Sequence, residues 1–114
     1  MGLIKNALRK TDLITKILHS YKTPIFPYYH TVSNNNLNHI EGLFSYKNEK
    51  EFIKDLDFLL STYNVLNPND LVECILTGES IPENSFVLSF DDGLSEVYYN
   101  IVPILNKKGI NAIF

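Results

Sequence analysis

The chain has 114 residues, 45% hydrophobic and 20% charged, with a net charge of -3. That is enough for one small domain around one modest core. The slight acidity argues against a nucleic-acid footprint and against a polybasic lipid-binding patch.

The N-terminal stretch "MGLIKNALRKTDLITKILHSY" places its apolar residues in pairs, Leu3/Ile4, Ala7/Leu8, Leu13/Ile14 and Ile17/Leu18. Lys5, Arg9, Lys10 and Lys16 fall between them. The spacing predicts an amphipathic helix over residues 1–22. Such a helix suits packing on its own domain or on a partner, and its basic residues also suit a membrane surface. The stretch lacks the continuous apolar core of a secretory signal. No segment approaches the ~20 apolar residues of a membrane span. The single cysteine, Cys74, cannot form an internal disulfide. It reads as a small buried hydrophobe, and its solitude fits a reducing compartment. The chain is therefore expected to be cytoplasmic.

"IFPYYH" (25–30) is aromatic and β-branched enough to predict a strand. Pro27 fits there only where the ladder does not need its missing N–H. "SNNNLNHIEG" is loop chemistry. "NEKEFIKDLDFLLSTY" follows as a helix with Phe52, Ile53, Leu56, Phe58, Leu59, Leu60 and Tyr63 as apolar positions. Asn48 is placed to cap it, with Glu51 in the reciprocal position. "YNVL" (63–66) predicts a short strand. "NPNDLVECILTG" predicts a second helix, with Asn67 as cap, Pro68 in the first turn, Asp70 near the positive end and Gly78 as the stop.

"FVLSF" (86–90) is a nearly continuous apolar run, as expected of a strand covered on both faces of a parallel sheet. "LSEVYYNIVPILNKKG" predicts a helix capped by Ser95, with Leu94, Val97, Tyr98, Ile101, Ile104 and Leu105 facing inward. Pro103 costs a straight helix ~3 kcal/mol, so a kink or a fresh turn is expected near it. Gly109 ends the helix and "INAIF" (110–114) predicts another strand. The second half is thus one βαβ unit of an α/β fold. A terminal apolar strand needs a neighbour, so the sheet reads as cut short and prone to aggregate through its open edge.

Asp91 and Asp92 follow the apolar strand directly, where sites lie in βαβ folds. Side chains alternate along a strand, so adjacent aspartates can take different jobs. One can aim at a metal and the other at a water. Gly93 lets the backbone turn sharply. The plainer reading of Asp91-Asp92-Gly93 is a turn with a capping aspartate. A second acid is superfluous for a turn, and two adjacent carboxylates repel unless a cation or proton sits beside them.

"VLSFDDG", followed by "YYNIVPILNKKGINAIF", resembles the first motif of the polysaccharide deacetylases, the NodB-homology domains of carbohydrate esterase family four. "FPYYHTV" resembles their first strand, whose Tyr-His pair recurs in one branch of the family. "FIKDLDFLLSTYNVLNPNDLVECILTGESIPENSFVLSFDDG" resembles the elements that follow. The resemblance covers residues 23–114 and leaves residues 1–22 outside. It implies the N-terminal portion of a distorted (β/α) barrel, apparently truncated. It also implies metal-dependent removal of N-acetyl groups from a glycan such as chitin, peptidoglycan or poly-N-acetylglucosamine, with zinc as the usual metal. By the same resemblance Asp91 is the general base and Asp92 a metal ligand. The family draws two further ligands from a later His-Ser/Thr-x-x-His motif. The only histidines here are His19, His30 and His39, and none has that spacing. A complete barrel takes roughly 250 residues. The chain alone is therefore expected to be inactive.

His30 ends the first predicted strand and can face the same mouth as Asp91. It is a candidate for contact with substrate or with the surroundings of the metal, against a plainer role as a surface or hydrogen-bonded histidine. Tyr28 and Tyr29 read as core and rim aromatics, and His19 and His39 as surface residues. Two other functions compete. Magnesium-dependent phosphoryl transfer also uses acids at strand ends, though its phosphatases want Asp-x-Asp rather than adjacent acids. A non-catalytic glycan-binding relative would keep the fold and lose the chemistry.

Overall fold

The computed structural model describes residues 23–114. The amphipathic helix expected over residues 1–22, and His19 within it, lie outside the described residues. In chain order the elements are β1 (Tyr28–Tyr29), α1 (Glu49–Thr62), β2 (Asn64–Val65), α2 (Pro68–Thr77), β3 (Ser85–Phe86) and β4 (Leu88–Phe90). A π-helical turn (Val97–Ile101) then runs into α3 (Val102–Lys108), and β5 (Ala112–Ile113) follows. All strand pairings are parallel, as the helical connections require.

The apolar run at 86–90 is the spine. The N–H groups of Val87, Ser89 and Asp91 donate to the carbonyls of Ile25, Pro27 and Tyr29 at 3.2, 3.1 and 3.0 Å. The alternate residues face the other flank. There the Leu66 N–H donates to the Phe86 carbonyl at 2.9 Å, and further along Leu88 aligns with Ala112. Phe86, Val87, Leu88 and Phe90 are all buried, which explains the near-continuous hydrophobicity. Leu88 and Phe90 join Phe52 and Leu56 of α1, Val97 and Ile101 of the π turn, and Leu105 of α3 in one core cluster. Leu66, Leu71 and Val87 form a smaller one toward α2.

The local signals produced the elements expected of them. The Asn48 side chain accepts from the Glu51 N–H at 2.9 Å, and its amide donates to the Glu51 carboxylate at 3.1 Å. Asn67 caps α2 through the Asn69 N–H at 2.9 Å, and Gly78 closes it in the left-handed conformation at φ +73°.

Four readings need correction. Pro27 does not avoid the ladder. Its nitrogen stands at a ladder-facing register, opposite the Val87 carbonyl, and the missing donor splits the edge into a lone bridge at Ile25 and the short β1. Ser95 is itself helical rather than a cap. Tyr98 lies on the solvent face, with Phe58 and Leu60 of α1 also exposed. The wide turn accounts for the first of these: the Val102 N–H bonds back five residues to Val97, which rotates the face between Val97 and Ile101. The same widening sits just ahead of Pro103, whose ring would otherwise clash one turn back. Finally, Cys74 is half-buried rather than enclosed.

No helix among the described residues is long and apolar enough to cross a membrane.

Candidate active site

β4 ends at Phe90, and the ladder continues one step further through the Asp91 N–H to the Tyr29 carbonyl. That bond fixes the height of Asp91 against the end of β1. The backbone then turns through two successive left-handed residues, Asp92 at φ +71° and Gly93 at φ +54°. Glycine takes this conformation freely, and aspartate is among the few other residues that tolerate it. The turn carries the Asp92 carboxylate back over the end of β1.

There it meets His30. The His30 Nδ1 and Asp92 Oδ2 are 3.0 Å apart. The two residues are 62 apart in sequence, and the register Tyr29 opposite Phe90 brings them together. Two aromatic rings contact the imidazole. Phe44 lies against it with ring centroids 4.6 Å apart, and Tyr28 meets it edge-on at 6.0 Å. Asp91 is exposed, and its carboxylate has no hydrogen-bond partner among the described residues. The three residues singled out from sequence, His30, Asp91 and Asp92, thus stand at one end of the sheet.

Alternation sends Tyr29 to the opposite side from Tyr28 and His30. Its ring packs on Phe52 and Phe90, with centroids 5.0 and 5.9 Å apart. Its hydroxyl donates to Asp55 at 2.6 Å, and Lys47 pairs with the same carboxylate oxygen. Burial, then the Asp55 hydrogen bond and the Asp55 charge, push the Tyr29 phenol well above its ordinary range. Tyr29 is an anchor beneath the site rather than a participant in it.

Two contacts beside the mouth escaped the sequence. Glu96 is nine-tenths buried, and one oxygen meets His39 Nε2 at 3.0 Å while the other has no partner. The Asn100 amide donates to the Val32 carbonyl at 3.0 Å. Both tie the loop after β1 to the π turn. His39 is half-exposed, as expected of a surface residue, but its role is to partner an interior acid. Nothing in the local pattern announced this. Phe44, the ring that holds His30, sits in residues 43–47, between the loop and the next helix, where the sequence pattern assigned no element.

An open groove of about 700 Å³ runs from His30 along Phe26, Tyr28, Tyr46 and Lys47. Its aromatic faces and polar tips suit a polar ligand with apolar ring faces.

Among the described residues no group of three or more His, Cys, Asp or Glu side chains stands close enough to hold a metal ion. Asp92 suits one ligand position, because its second carboxylate oxygen has no partner among these residues. A catalytic zinc typically takes three protein ligands, so the described residues do not complete a metal site.

No protein-family model and no curated protein matches the sequence. Solved structures do. The chain is similar to a de-N-acetylase from Aggregatibacter actinomycetemcomitans at 28% identity and a TM-score of 0.64, over 80% of this chain and 36% of that one. It is similar to IcaB from Ammonifex degensii at 25% identity and a TM-score of 0.64, over 81% of this chain and 37% of that one. The Streptococcus pyogenes deacetylase PplD, solved with acetate, shares the fold at a TM-score of 0.61 and 22% identity, over 79% of this chain and 40% of that one. The chain therefore spans well under half the length of the structures it matches.

Proposed function

On the premise that this chain belongs to the polysaccharide deacetylases, we propose that it carries the first catalytic motif of an enzyme that hydrolyses N-acetyl groups from a glycan. The single observation behind this reading is the placement of Asp91-Asp92-Gly93 at the end of β4, with His30 seated on Asp92. The two de-N-acetylases at 28% and 25% identity support the reaction class. Parallel strands with helices packed against them are, in this reading, one arc of a distorted (β/α) barrel.

The two aspartates divide the work. Asp91 is exposed and unpartnered among the described residues, so it is free to take a proton from the attacking water. Asp92 is held by His30 and would be one ligand of a divalent metal, zinc by family habit, with the remaining ligands supplied from outside the described residues. When bound, the metal polarises the amide carbonyl and acidifies a water. His30 positions Asp92: its Nδ1–H donates to the carboxylate, and in the neutral ring Nε2 remains an acceptor for a substrate hydroxyl or amide. The groove beyond offers Tyr28 and Tyr46 as faces for sugar rings.

The experiment is acetate release from an N-acetylglucosamine oligomer by the intact deacetylase domain. Asp91→Asn should lower turnover by about 10²–10⁴-fold, the usual worth of a general base, with metal content unchanged. Asp92→Asn should lower metal content itself. Equal metal loss in both variants would refute the division of roles.

A further inference from the structure

The outer face of α2 is apolar where it meets solvent. Val72, Ile75 and Leu76 are 50%, 66% and 80% exposed. Their i, i+3, i+4 spacing makes them one contiguous stripe, bordering the inward side on which Leu71 packs with Leu66 and Val87. Single exposed hydrophobes need no account, but a stripe of three on one helix does.

The charge around it is one-sided. Residues 67–84 hold Asp70, Glu73, Glu79 and Glu83 and no lysine or arginine. The complement lies in the same chain. Residues 1–22 hold Lys5, Arg9, Lys10, Lys16 and Lys22 against the single acid Asp12, half of the chain's ten basic residues. Their apolar residues recur at the spacing of one helical face.

The connection is short. The Ile25 N–H bonds to the Ser85 carbonyl at 3.0 Å, so the segment joins the fold beside Ser85. Six residues, 79–84, separate Ser85 from Gly78 at the end of α2, a reach of at most about 20 Å. A helix over residues 3–18 would be about 24 Å long, ample to cover the ~15 Å of α2.

We propose that the exposed stripe of α2 is the docking face for the chain's own basic amphipathic segment, residues 3–18. The apolar pairs cover Val72, Ile75 and Leu76, and the lysines and arginine face the acids that flank them. Tethering raises the effective concentration of the segment, so a modest stripe suffices.

Limited trypsin digestion of the full chain tests this. Lys5, Arg9, Lys10 and Lys16 are all cleavage sites, and cleavage rate follows the population of the undocked state. Leu76→Asp should speed cleavage at these four sites by about tenfold, with cleavage after Lys107 and Lys108 unchanged as the control for folding. Leu76 makes no core contact, so the variant should keep its circular dichroism. The charge reversal Glu73→Lys with Glu79→Lys should also speed cleavage. Adding Lys10→Glu and Lys16→Glu to that reversal should restore protection at Lys5, the site of the four that this exchange leaves untouched in itself and its neighbours. Three results would overturn the proposal: cleavage in the full chain that is already fast and indifferent to Leu76→Asp; protection that disappears on dilution, which assigns the stripe to a second copy; and protection that appears only with anionic phosphatidylserine vesicles, which assigns the segment to a membrane surface.

Discussion

Asp92 occupies a backbone conformation that few side chains accept, and this separates its chemical role from its structural one. A non-glycine residue at φ +71° is strained by roughly 1–2 kcal/mol, less for aspartate than for most. Asp92→Gly relieves that strain but loses the His30 hydrogen bond. That pair is exposed, 36% at His30 and 58% at Asp92, so it contributes on the order of 0–1 kcal/mol. Glycine also loses roughly 0.5–1 kcal/mol through the freedom of its unfolded chain. These terms nearly cancel, and Asp92→Gly should unfold within about 1 kcal/mol of the parent. Asp92→Val loses the same hydrogen bond and adds a β-branched side chain at positive φ, where it clashes with its own backbone. It should be about 2 kcal/mol less stable than Asp92→Gly, a difference of about 1 M in the urea midpoint. Metal content measured beside it should fall in both variants. Urea midpoints for Gly and Val that coincide would refute the claim that the turn conformation constrains this position.

Other outcomes follow from single contacts. Tyr29→Phe keeps the ring on Phe52 and Phe90 but loses the bond to the Asp55 carboxylate, at a cost of roughly 1–2 kcal/mol near neutral pH. The folded-state phenol sits above its unfolded value. Its stabilising contribution is therefore fully present below about pH 10 and is lost as the pH rises beyond that. Tyr29→Phe should flatten the alkaline fall in stability, and ultraviolet titration of the parent should find one phenol that ionises only at unfolding. Asn48→Ala removes the cap on the Glu51 N–H and should cost about 1 kcal/mol, read as a lower Tm with unchanged spectra in the folded state.

What the sequence revealed and what it hid divide along one physical line. Signals that act within four or five residues were legible. Asn48, Asn67, Gly78 and Gly109 end their helices through bonds or conformations they supply themselves. The run at 86–90 declares two-sided burial by composition alone. Contacts that depend on packing were not legible. The π turn at 97–101 follows from Pro103 and from the fit of Val97 and Ile101 into the core, and it carries Tyr98 outward against the simple 3.6-residue period. Glu96 finds His39 only because the loop after β1 folds back over the helix. His30 and Asp92 were each suspect from sequence, but their partnership depends on a pairing across 62 residues.

That pairing makes the site a matter of strand register. Side chains alternate with a period of two, so a one-residue slip of β1 against β4 would carry His30 to the buried side and Tyr29 to the open one. Neither residue suits the exchange. The buried side is lined by Phe52 and Phe90 and places the Asp55 carboxylate where the Tyr29 hydroxyl reaches it. The open side holds His30 by Phe44 and the Asp92 carboxylate. Pro27 weakens the ladder just before this point by removing one bond, so backbone pairing alone specifies the register poorly there. The Tyr29 anchor restores it from the side-chain level, and through it the buried face of the sheet sets the geometry of the exposed one.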